Sequence, residues 1–252
     1  MIFVKKPNLP ENASIVLVGE KYYHSLSASL NNFGIRVFAI PENPYVDPRI
    51  ASHADISVLH IRDNFLALSP HLKGTELESV LSRMGFDLIF SESVFDAKYP
   101  HDCPLNLYVS DEFAVINSKT ADKAVLKKLE EVNIKLIDCR QGYSKCMICP
   151  VDSNSIISSD PSIVCACKEQ GIDVLEISQG YVDLLGYDYG FLGGSCFKLS
   201  EKQIAFTGKL DSHPDKDLIL EFLEKHGIQV VFLTDNDVFD VGSIIPIAEK
   251  PR

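Results

Sequence analysis

Apolar residues along the chain follow two spacings, one typical of short strands and one typical of amphipathic helices. One short phrase recurs five times: a Gly or Asn is followed directly by a strand-like apolar run. The phrases begin at Gly34, Gly85, Asn133, Gly171 and Gly227, so that successive starts are 51, 48, 38 and 56 residues apart. Self-similarity at intervals of this size indicates a repeat architecture.

Each phrase is preceded by a stretch in which apolar residues have helical spacing. The clearest stretches cover residues 120–132 and 217–226. Their predicted apolar stripes consist of Leu126, Leu129 and Val132, and of Leu218, Phe222 and Leu223. Because a Gly or Asn in the left-handed conformation is common just past a helix end, we expect the first residue of each phrase to terminate a helix.

Upstream of four of these helices lie two short strand-like runs joined by turn-forming residues. The predicted pairs are 56–61 with 65–68, 107–109 with 113–116, 146–149 with 155–157, and 196–199 with 203–206. The first unit shows only one obvious strand, 14–18, before its helix near 24–33, as expected of a terminal repeat or of one closed by the other end of the chain. We place the five ββαβ units at roughly 12–43, 53–92, 101–139, 145–178 and 194–235 of a single domain covering residues 1–252.

A helix followed by Gly and a strand also describes an open parallel α/β sheet. Such a sheet supplies one strand per helix, whereas most helices here follow a hairpin. The pattern therefore favours an α/β ring of five units around a central cavity.

Five units of this kind resemble the pentein fold, the fivefold α/β propeller of the guanidine-modifying enzymes (GME fold). These include arginine deiminases, dimethylarginine hydrolases and amidinotransferases. The ring also resembles a non-enzymatic ribosome anti-association factor of the same fold. The segments "QGYSKC", "IISSD", "GIDVLEIS" and "GYDYGFLGG" are similar to an uncharacterised bacterial family assigned to this fold. The resemblance implies a pentein-like α/β propeller built from ββαβ repeats.

Composition limits the kinds of molecule that we expect the protein to bind. A formal net charge of -11, without a long run of Lys or Arg, disfavours nucleic acid. The longest apolar runs have six to eight residues, far fewer than the roughly 20 that span a bilayer. The first residues lack the pattern of an export signal. We expect a cytoplasmic protein that binds neither nucleic acid nor a membrane, with a small molecule as a possible ligand.

The loops that lead into the first strand of each unit can converge on the axis of a ring, where they would enclose a small ligand. These loops, at 52–55, 99–104, 141–145 and 188–196, carry a thiol, two histidines and several carboxylates. Attack on a guanidinium carbon needs a reactive thiolate, a proton carrier and carboxylates that bind the planar nitrogens.

The resemblance to the guanidine-modifying enzymes implies that Cys196 is the nucleophile and that His53 or His101 carries protons. The predicted substrate-binding residues are Asp55, Asp102, Asp188, Gly193 and Gly194. The two glycines would let a substrate approach the backbone beside Cys196. No cofactor or metal is expected.

Each of these assignments has a structural alternative. Glycines before a strand are often only turn formers, and Cys196 followed by Phe197 and Leu199 is typical of a strand that alternates into a core. Two functions therefore stay open. The protein is either a Cys-dependent hydrolase or amidinotransferase acting on C–N bonds of a guanidine or amidine, or a non-catalytic pentein ring that binds a small ligand or a protein partner.

A second cysteine pattern, Cys146-x-x-Cys149 followed by Cys165-x-Cys167, has a spacing like that of zinc sites. In a strand, however, positions i and i+3 point to opposite faces, and in a helix positions i and i+2 diverge. We expect these cysteines to be core residues.

Overall fold

The structure, a computed structural model, describes residues 1–251. Its helices are α1 Glu20–Asn32, α2 Ala54–Ser57, α3 Glu76–Arg83, α4 Lys123–Glu131, α5 Ser144–Met147, α6 Pro161–Glu169 and α7 Lys216–Lys225. Its strands are β1 Ile2–Phe3, β2 Ala13–Gly19, β3 Arg36–Ile40, β4 Val58–Arg62, β5 Phe65–Leu68, β6 Asp87–Phe90, β7 Tyr108–Val109, β8 Phe113–Ile116, β9 Lys135–Asp138, β10 Ile148–Asp152, β11 Ser155–Ser158, β12 Asp173–Glu176, β13 Cys196–Ser200, β14 Gln203–Phe206, β15 Gln229–Phe232 and β16 Ile245–Glu249. Two 3₁₀ turns cover Pro70–Leu72 and Gly193–Ser195. Within these residues, none of the helices is long and apolar enough to cross a membrane.

The strands form five small sheets in the described part of the chain. Four of them, β4-β5-β6, β7-β8-β9, β10-β11-β12 and β13-β14-β15, share one order: an antiparallel hairpin followed by a strand parallel to its second strand. In the remaining sheet the last strand, β16, pairs antiparallel with β2, and β2 runs parallel to β3. Of the two alternatives for the first unit, the structure has the one in which the other end of the chain closes it.

The five sheets contact one another in cyclic order. Contacts run from β16 to β4, from β4 to α4, from α5 to β7, from β10 to β13, and from β13 back to β2. The core consists of five hydrophobic clusters, and each draws its buried side chains from two neighbouring sheets. In one of them Phe197 and Leu199 of β13 pack with Val16 and Val18 of β2. The predicted α/β ring of five units is therefore confirmed.

The five residues that begin the recurring phrases each follow a helix, and all five have a positive φ. The φ angles are 68° at Gly34, 91° at Gly85, 57° at Asn133, 79° at Gly171 and 70° at Gly227. Glycine adopts this conformation without a Cβ clash, and Asn is the next most tolerant residue. The predicted helix ends are confirmed.

One predicted apolar stripe is wrong by a residue. Helix α7 buries Ile219 and Leu223, which are four residues apart and share a face, whereas Leu218 is 52% exposed. In α4 the buried residues are Val125 and Leu129.

The first strands of the second and fourth units begin later than predicted. Their pairing starts at Val58, opposite Leu68, and at Ile148, opposite Ser158. The residues before them form the single helical turns α2 and α5. Cys146, predicted to lie in a strand, therefore lies in a turn at the entrance to one.

Buried polar side chains on the first strands connect neighbouring units. The ammonium group of Lys198, on β13, donates to the carbonyl of Val151 on β10 at 2.8 Å and to that of Glu201 in its own hairpin at 2.9 Å. His60, at the corresponding position of β4, contacts the carbonyls of Pro246 on β16 and of Asp63. Burial lowers the pKa of Lys198 from 10.5 to about 8.

The pKa of Lys198 predicts a pH dependence of stability. Because the folded protein holds this proton less tightly than the unfolded chain does, the free energy of unfolding rises between about pH 8 and 10.5, by up to about 3 kcal/mol. The Lys198→Met variant loses this rise, whereas Lys202→Met, a change at an exposed lysine of the same hairpin, keeps it. Urea unfolding at pH 7.5 and 10 measures the difference, and an equal pH response in wild type and Lys198→Met would contradict the prediction.

Candidate active site

The segments that precede the first strands meet at the centre of the ring. The backbone N–H of Asp55 donates to the carbonyl of Gly242 at 2.9 Å. The backbone N–H of Ser243 donates to the carbonyl of Gly194 at 2.7 Å. The side chain of Asn106 accepts from the N–H of Cys146 at 3.1 Å. Five separate parts of the chain therefore approach one another through direct hydrogen bonds.

Cys146 is the thiol at this centre. It is 2% exposed, and its Sγ donates to Oδ2 of Asp55 at 2.9 Å. The amide Nδ2 of Asn106 donates to the same sulfur at 3.2 Å. Burial, followed by the carboxylates of Asp55 and Asp240, raises the pKa of the thiol well above its usual value. The thiol is therefore held in a polar setting with a carboxylate as its immediate proton acceptor.

His53 lies beside the carboxylate of Asp240. It is 3% exposed, and its Nδ1 is 3.9 Å from Oδ1 of Asp240. Among the described residues its Nε2 has no hydrogen-bond partner, and the same is true of Oδ1 of Asp55. Asp240 is itself fixed, because its two oxygens accept from the N–H groups of Gly242 and Phe191, both at 2.8 Å.

One cation is buried next to these acids. Lys145 is 4% exposed, and its Nζ donates to Oγ of Ser243 at 2.7 Å. Burial raises the pKa of Asp55, while the charges of His53 and Lys145 act in the opposite direction. The cluster thus combines two carboxylates, an ammonium, an imidazole and a thiol out of contact with bulk water.

A pocket of about 100 Å³ opens onto this cluster. Its lining comprises Ile50, His53, Ile56, Tyr143, Cys146, Leu184, Tyr187, Tyr189, Phe191 and Asp240. The closed end is polar and contains the thiol, and the walls are largely aromatic. Such walls suit a planar or cationic group, because a ring face attracts positive charge.

Asp102 contacts the pocket only through a residue of its lining. Its carboxylate accepts from the hydroxyl of Tyr143, whose ring lines the pocket, and burial raises the pKa of Asp102. Asp102 was predicted to bind substrate. Here it positions Tyr143, and its other oxygen, Oδ1, has no partner among residues 1–251.

The cluster could also hold a metal ion. The donor atoms of His53, Asp55 and Cys146 lie within 4.8 Å of one another. Imidazole nitrogen, carboxylate oxygen and thiolate sulfur are the ligand types that zinc prefers. The sequence analysis did not predict these three residues as a set, because they come from two units.

The cysteine pattern with zinc-like spacing does not converge. Cys146 lies at the ring centre, whereas Cys149 is in the hydrophobic cluster of the fourth and fifth units. Cys165 is exposed on α6, and Cys167 of the same helix points into another cluster.

Cys196 lies away from the pocket lining. It is the first residue of β13, is fully buried, and packs with Cys149, Ile204 and Phe206 in an apolar cluster. Its thiol makes a long contact of 3.9 Å with the carbonyl of Gly193. These neighbours match the alternative in which this thiol is a core residue.

Two further predicted site residues lie on the outside. His101 is exposed and lines a different pocket, together with Pro100 and Asp122. Asp188 is exposed in the loop that carries Tyr187 and Tyr189. Of the predicted site residues, the structure places only His53 and Asp55 beside the thiol of Cys146.

The glycines before β13 provide room for other parts of the protein. A Cβ at Gly193 would lie 2.5 Å from the carbonyl oxygen of Cys146, and one at Gly194 would lie 2.1 Å from Oδ1 of Asp240. The sequence predicted room for a substrate at these glycines, whereas the groups that approach them in the structure are a neighbouring turn and a buried carboxylate.

The register of the strands shows that Cys146 is equivalent to Gly194 of the glycine-rich loop before β13. Val58, Ile148 and Cys196 occupy one position, since each pairs with the last residue of the next strand. Two residues earlier stand Ile56, Cys146 and Gly194. The fourth unit therefore has a thiol where the fifth has a glycine, a match that requires the strand starts to be known to the residue.

Solved structures of guanidine-modifying enzymes share this fold. An amidinotransferase of the saxitoxin biosynthetic pathway from Microseira wollei matches with a TM-score of 0.56 and 11% identity, covering 99% of this chain and 98% of that one. Dimethylarginine dimethylaminohydrolase from Pseudomonas aeruginosa, complexed with citrulline, matches with a TM-score of 0.53 and 10% identity over 89% of this chain and 92% of that one. Agmatine deiminase from C. jejuni gives 0.52 and 12%, over 98% and 97%.

The predicted pentein fold is thereby confirmed, and at these identities the likeness establishes the fold alone. Residues 17–245 match the model of a family of unknown function, DUF6873, and the chain belongs to that family. None of the curated proteins matches it.

The contact at Gly194 predicts a specific sensitivity. In Gly194→Ala the new methyl group collides with the Asp240 carboxylate, which Phe191 and Gly242 hold in place, so we expect a loss of at least about 2 kcal/mol in the free energy of unfolding. Gly171→Ala is the control: it meets open space and costs only the strain of a positive φ, about 1 kcal/mol. Urea unfolding measures both, and a Gly194→Ala protein as stable as wild type would contradict the assignment.

Proposed function

We propose that this protein is a thiol-dependent enzyme that cleaves a C–N bond of a small guanidine or amidine, with Cys146 as the nucleophile. The observation that carries the proposal is the meeting of Cys146, His53 and Asp55 within 4.8 Å at the closed end of a pocket. The fold neighbours support it, since dimethylarginine and agmatine, the compounds in two of their names, both contain a guanidine group.

The buried charges favour a single cation as ligand. Two buried acids, Asp55 and Asp240, lie here with one buried lysine, Lys145, so by residue type the acids outnumber the lysine by one. An uncompensated buried charge is costly, and a guanidinium or amidinium would neutralise it. Its planar N–H groups also match carboxylate oxygens, such as the unpartnered Oδ1 of Asp55.

The residues have distinct roles in this reaction. The sulfur of Cys146 forms a bond to the central carbon while its proton passes to Nε2 of His53, directly or by way of Asp55. The C–N bond then breaks, and His53 passes a proton through Nε2 to the departing nitrogen. The product is a neutral amine or ammonia and an S-amidino group that keeps the single positive charge of the substrate. Water in a hydrolase, or an acceptor amine in a transferase, then releases this group and restores the thiol.

The proposal changes one of the sequence-based roles and selects between two others. Cys146 replaces Cys196 as nucleophile, because Cys196 packs among apolar side chains. His53 is the proton carrier and His101 is not, because His101 is exposed on another pocket. The competing function is a non-catalytic ring that binds a small ligand or a protein partner.

Thiol labelling of the native protein tests the nucleophile. In a Cys165→Ser background, which removes the exposed thiol, we expect iodoacetamide at about pH 9 to modify Cys146 first, because this thiol lines a pocket. The alkaline pH offsets the raised pKa of Cys146, and guanidinium chloride at non-denaturing concentration protects the thiol. Cys196 stays unmodified until the protein unfolds. Peptide mass spectrometry identifies the labelled residue.

The Cys146→Ser variant is the control for this labelling. It removes the protected signal, whereas Cys196→Ser retains it. Faster labelling of Cys196 than of Cys146, or Cys146 labelling that no guanidine slows, would refute the assignment.

Turnover separates the enzyme from the binding protein. We expect release of ammonia or amine from one or more members of a panel of substituted guanidines and amidines, and a loss of at least about a thousandfold in Cys146→Ser. His53→Gln also loses activity, while the matched change His101→Gln does not.

Assays with and without a chelator decide whether the thiol acts alone. Activity that disappears with EDTA would mean that the cluster of His53, Asp55 and Cys146 works through a metal. No turnover of any panel member, with Cys146 labelled and protected, would favour the binding function.

A further inference from the structure

The pocket at Cys146 has room for only a small part of a ligand. Its volume is about 100 Å³, less than that of an engineered protein cavity of roughly 150 Å³ that binds benzene. A guanidinium or amidinium group matches this volume, with His53, Cys146 and Asp240 at its inner end. Whatever that group is attached to must therefore lie at the mouth of the pocket.

The mouth is formed by aromatic side chains that are open to solvent. Tyr187 and Tyr189 line the pocket and are 39% and 37% exposed. Tyr99 is 51% exposed, and its ring centroid is 5.6 Å from that of Tyr143, which also lines the pocket. We refer to Tyr99, Tyr187 and Tyr189 as the aromatic rim. Exposed apolar surface that continues into a pocket is typical of a ligand-binding site.

The rim is held in position on its inner side. Tyr189 packs against Phe191 at 6.2 Å between centroids, and Phe191 packs against Tyr143 at the same distance. The guanidinium of Arg49 lies 4.1 Å from the centre of the Tyr187 ring and donates to the carbonyl of Gly186. Such contacts restrict the rings before a ligand arrives, which reduces the entropy lost on binding.

The mouth offers little to a carboxylate. The residues that line the pocket include neither Lys nor Arg, as far as the structure describes the chain. Arg49 is already paired with Asp47, which accepts at both of its oxygens, at 2.9 and 2.7 Å. Asp188 adds an exposed negative charge between Tyr187 and Tyr189. The described pocket lining therefore gives the carboxylate of a ligand no cation to pair with.

We infer that the guanidine or amidine taken by this site carries an apolar, aromatic-sized substituent that packs on the aromatic rim, and carries no carboxylate. This inference rests on the proposed function for the chemistry at Cys146. It adds the substrate class, an amphipathic aralkyl guanidine or amidine, in which the cation occupies the closed end and the ring lies on tyrosine faces.

Calorimetric titration of the Cys146→Ser protein tests the inference, because binding is then measured without reaction. The probes are benzylguanidine, methylguanidine, arginine and benzyl alcohol. We expect benzylguanidine to bind at least about tenfold more tightly than methylguanidine or arginine. Benzyl alcohol, which lacks the cation, binds at least about tenfold more weakly than benzylguanidine.

Rim variants connect the preference to named residues. Tyr99→Ser with Tyr189→Ser is expected to reduce the preference for benzylguanidine over methylguanidine to below about threefold, because benzylguanidine loses more affinity than methylguanidine does. Tyr181→Ser is the matched control, since Tyr181 is 54% exposed but packs on His213 instead of lining the pocket. Far-ultraviolet circular dichroism confirms that each variant is folded.

Three results overturn the inference: arginine or methylguanidine binding as tightly as benzylguanidine, a preference that survives the rim variants, or no binding of any guanidine. The proposed function fails separately. Benzylguanidine that binds with the expected preference while no guanidine or amidine is ever turned over would refute the enzyme and leave the binding class standing. Turnover confined to aliphatic guanidines would refute the inferred substrate class and leave the enzyme standing.

Discussion

Each unit of this protein shares its apolar surface with its neighbours. A three-stranded sheet with one helix is too small to enclose a core, and every hydrophobic cluster here takes side chains from two adjacent sheets. The pairing of β16 with β2 is what makes this arrangement complete. Without it the first unit would lack its outer strand, and the clusters on both sides of that unit would be open to water.

Ring closure also creates the polar centre. When five antiparallel strand pairs pack side by side, the segments that lead into them are forced together, and they come close enough to require glycine at positions such as Gly193 and Gly242. Polar groups buried there must be paired with one another. Most are, as the contacts of Asn106 and Asp240 illustrate. The unpartnered Nε2 of His53 is an exception, and it lies next to a thiol.

The likeness to guanidine-modifying enzymes lies in the fold. A ring of five equivalent units offers five equivalent entrances to the centre, and a fold of this kind can place reactive groups at any of them. In this chain the thiol stands in the fourth unit and the imidazole in the second. Chemistry in such a fold is therefore decided by which unit carries which side chain, and the overall likeness does not determine that.

Local patterns in the sequence were enough to establish the architecture. The Gly or Asn after each helix and the hairpin before it depend on steric and turn preferences that act within a few residues. Those preferences do not depend on distant parts of the chain, so the five units and the α/β class could be predicted. Closure of the first unit was one of two alternatives, because it depends on a pair of strands from opposite ends of the sequence. His53 and Asp55 could be singled out for the same reason, as polar residues in a loop next to a strand.

Only the tertiary structure decided which thiol belongs to the site. The choice between Cys146 and Cys196 depends on a helical turn that delays one strand by two residues, and strand boundaries depend on pairing with a partner strand. Asp240 had no local signal at all, because it reaches His53 across nearly 190 residues of sequence through ring closure. Local preferences thus determined the units, and long-range packing determined the site.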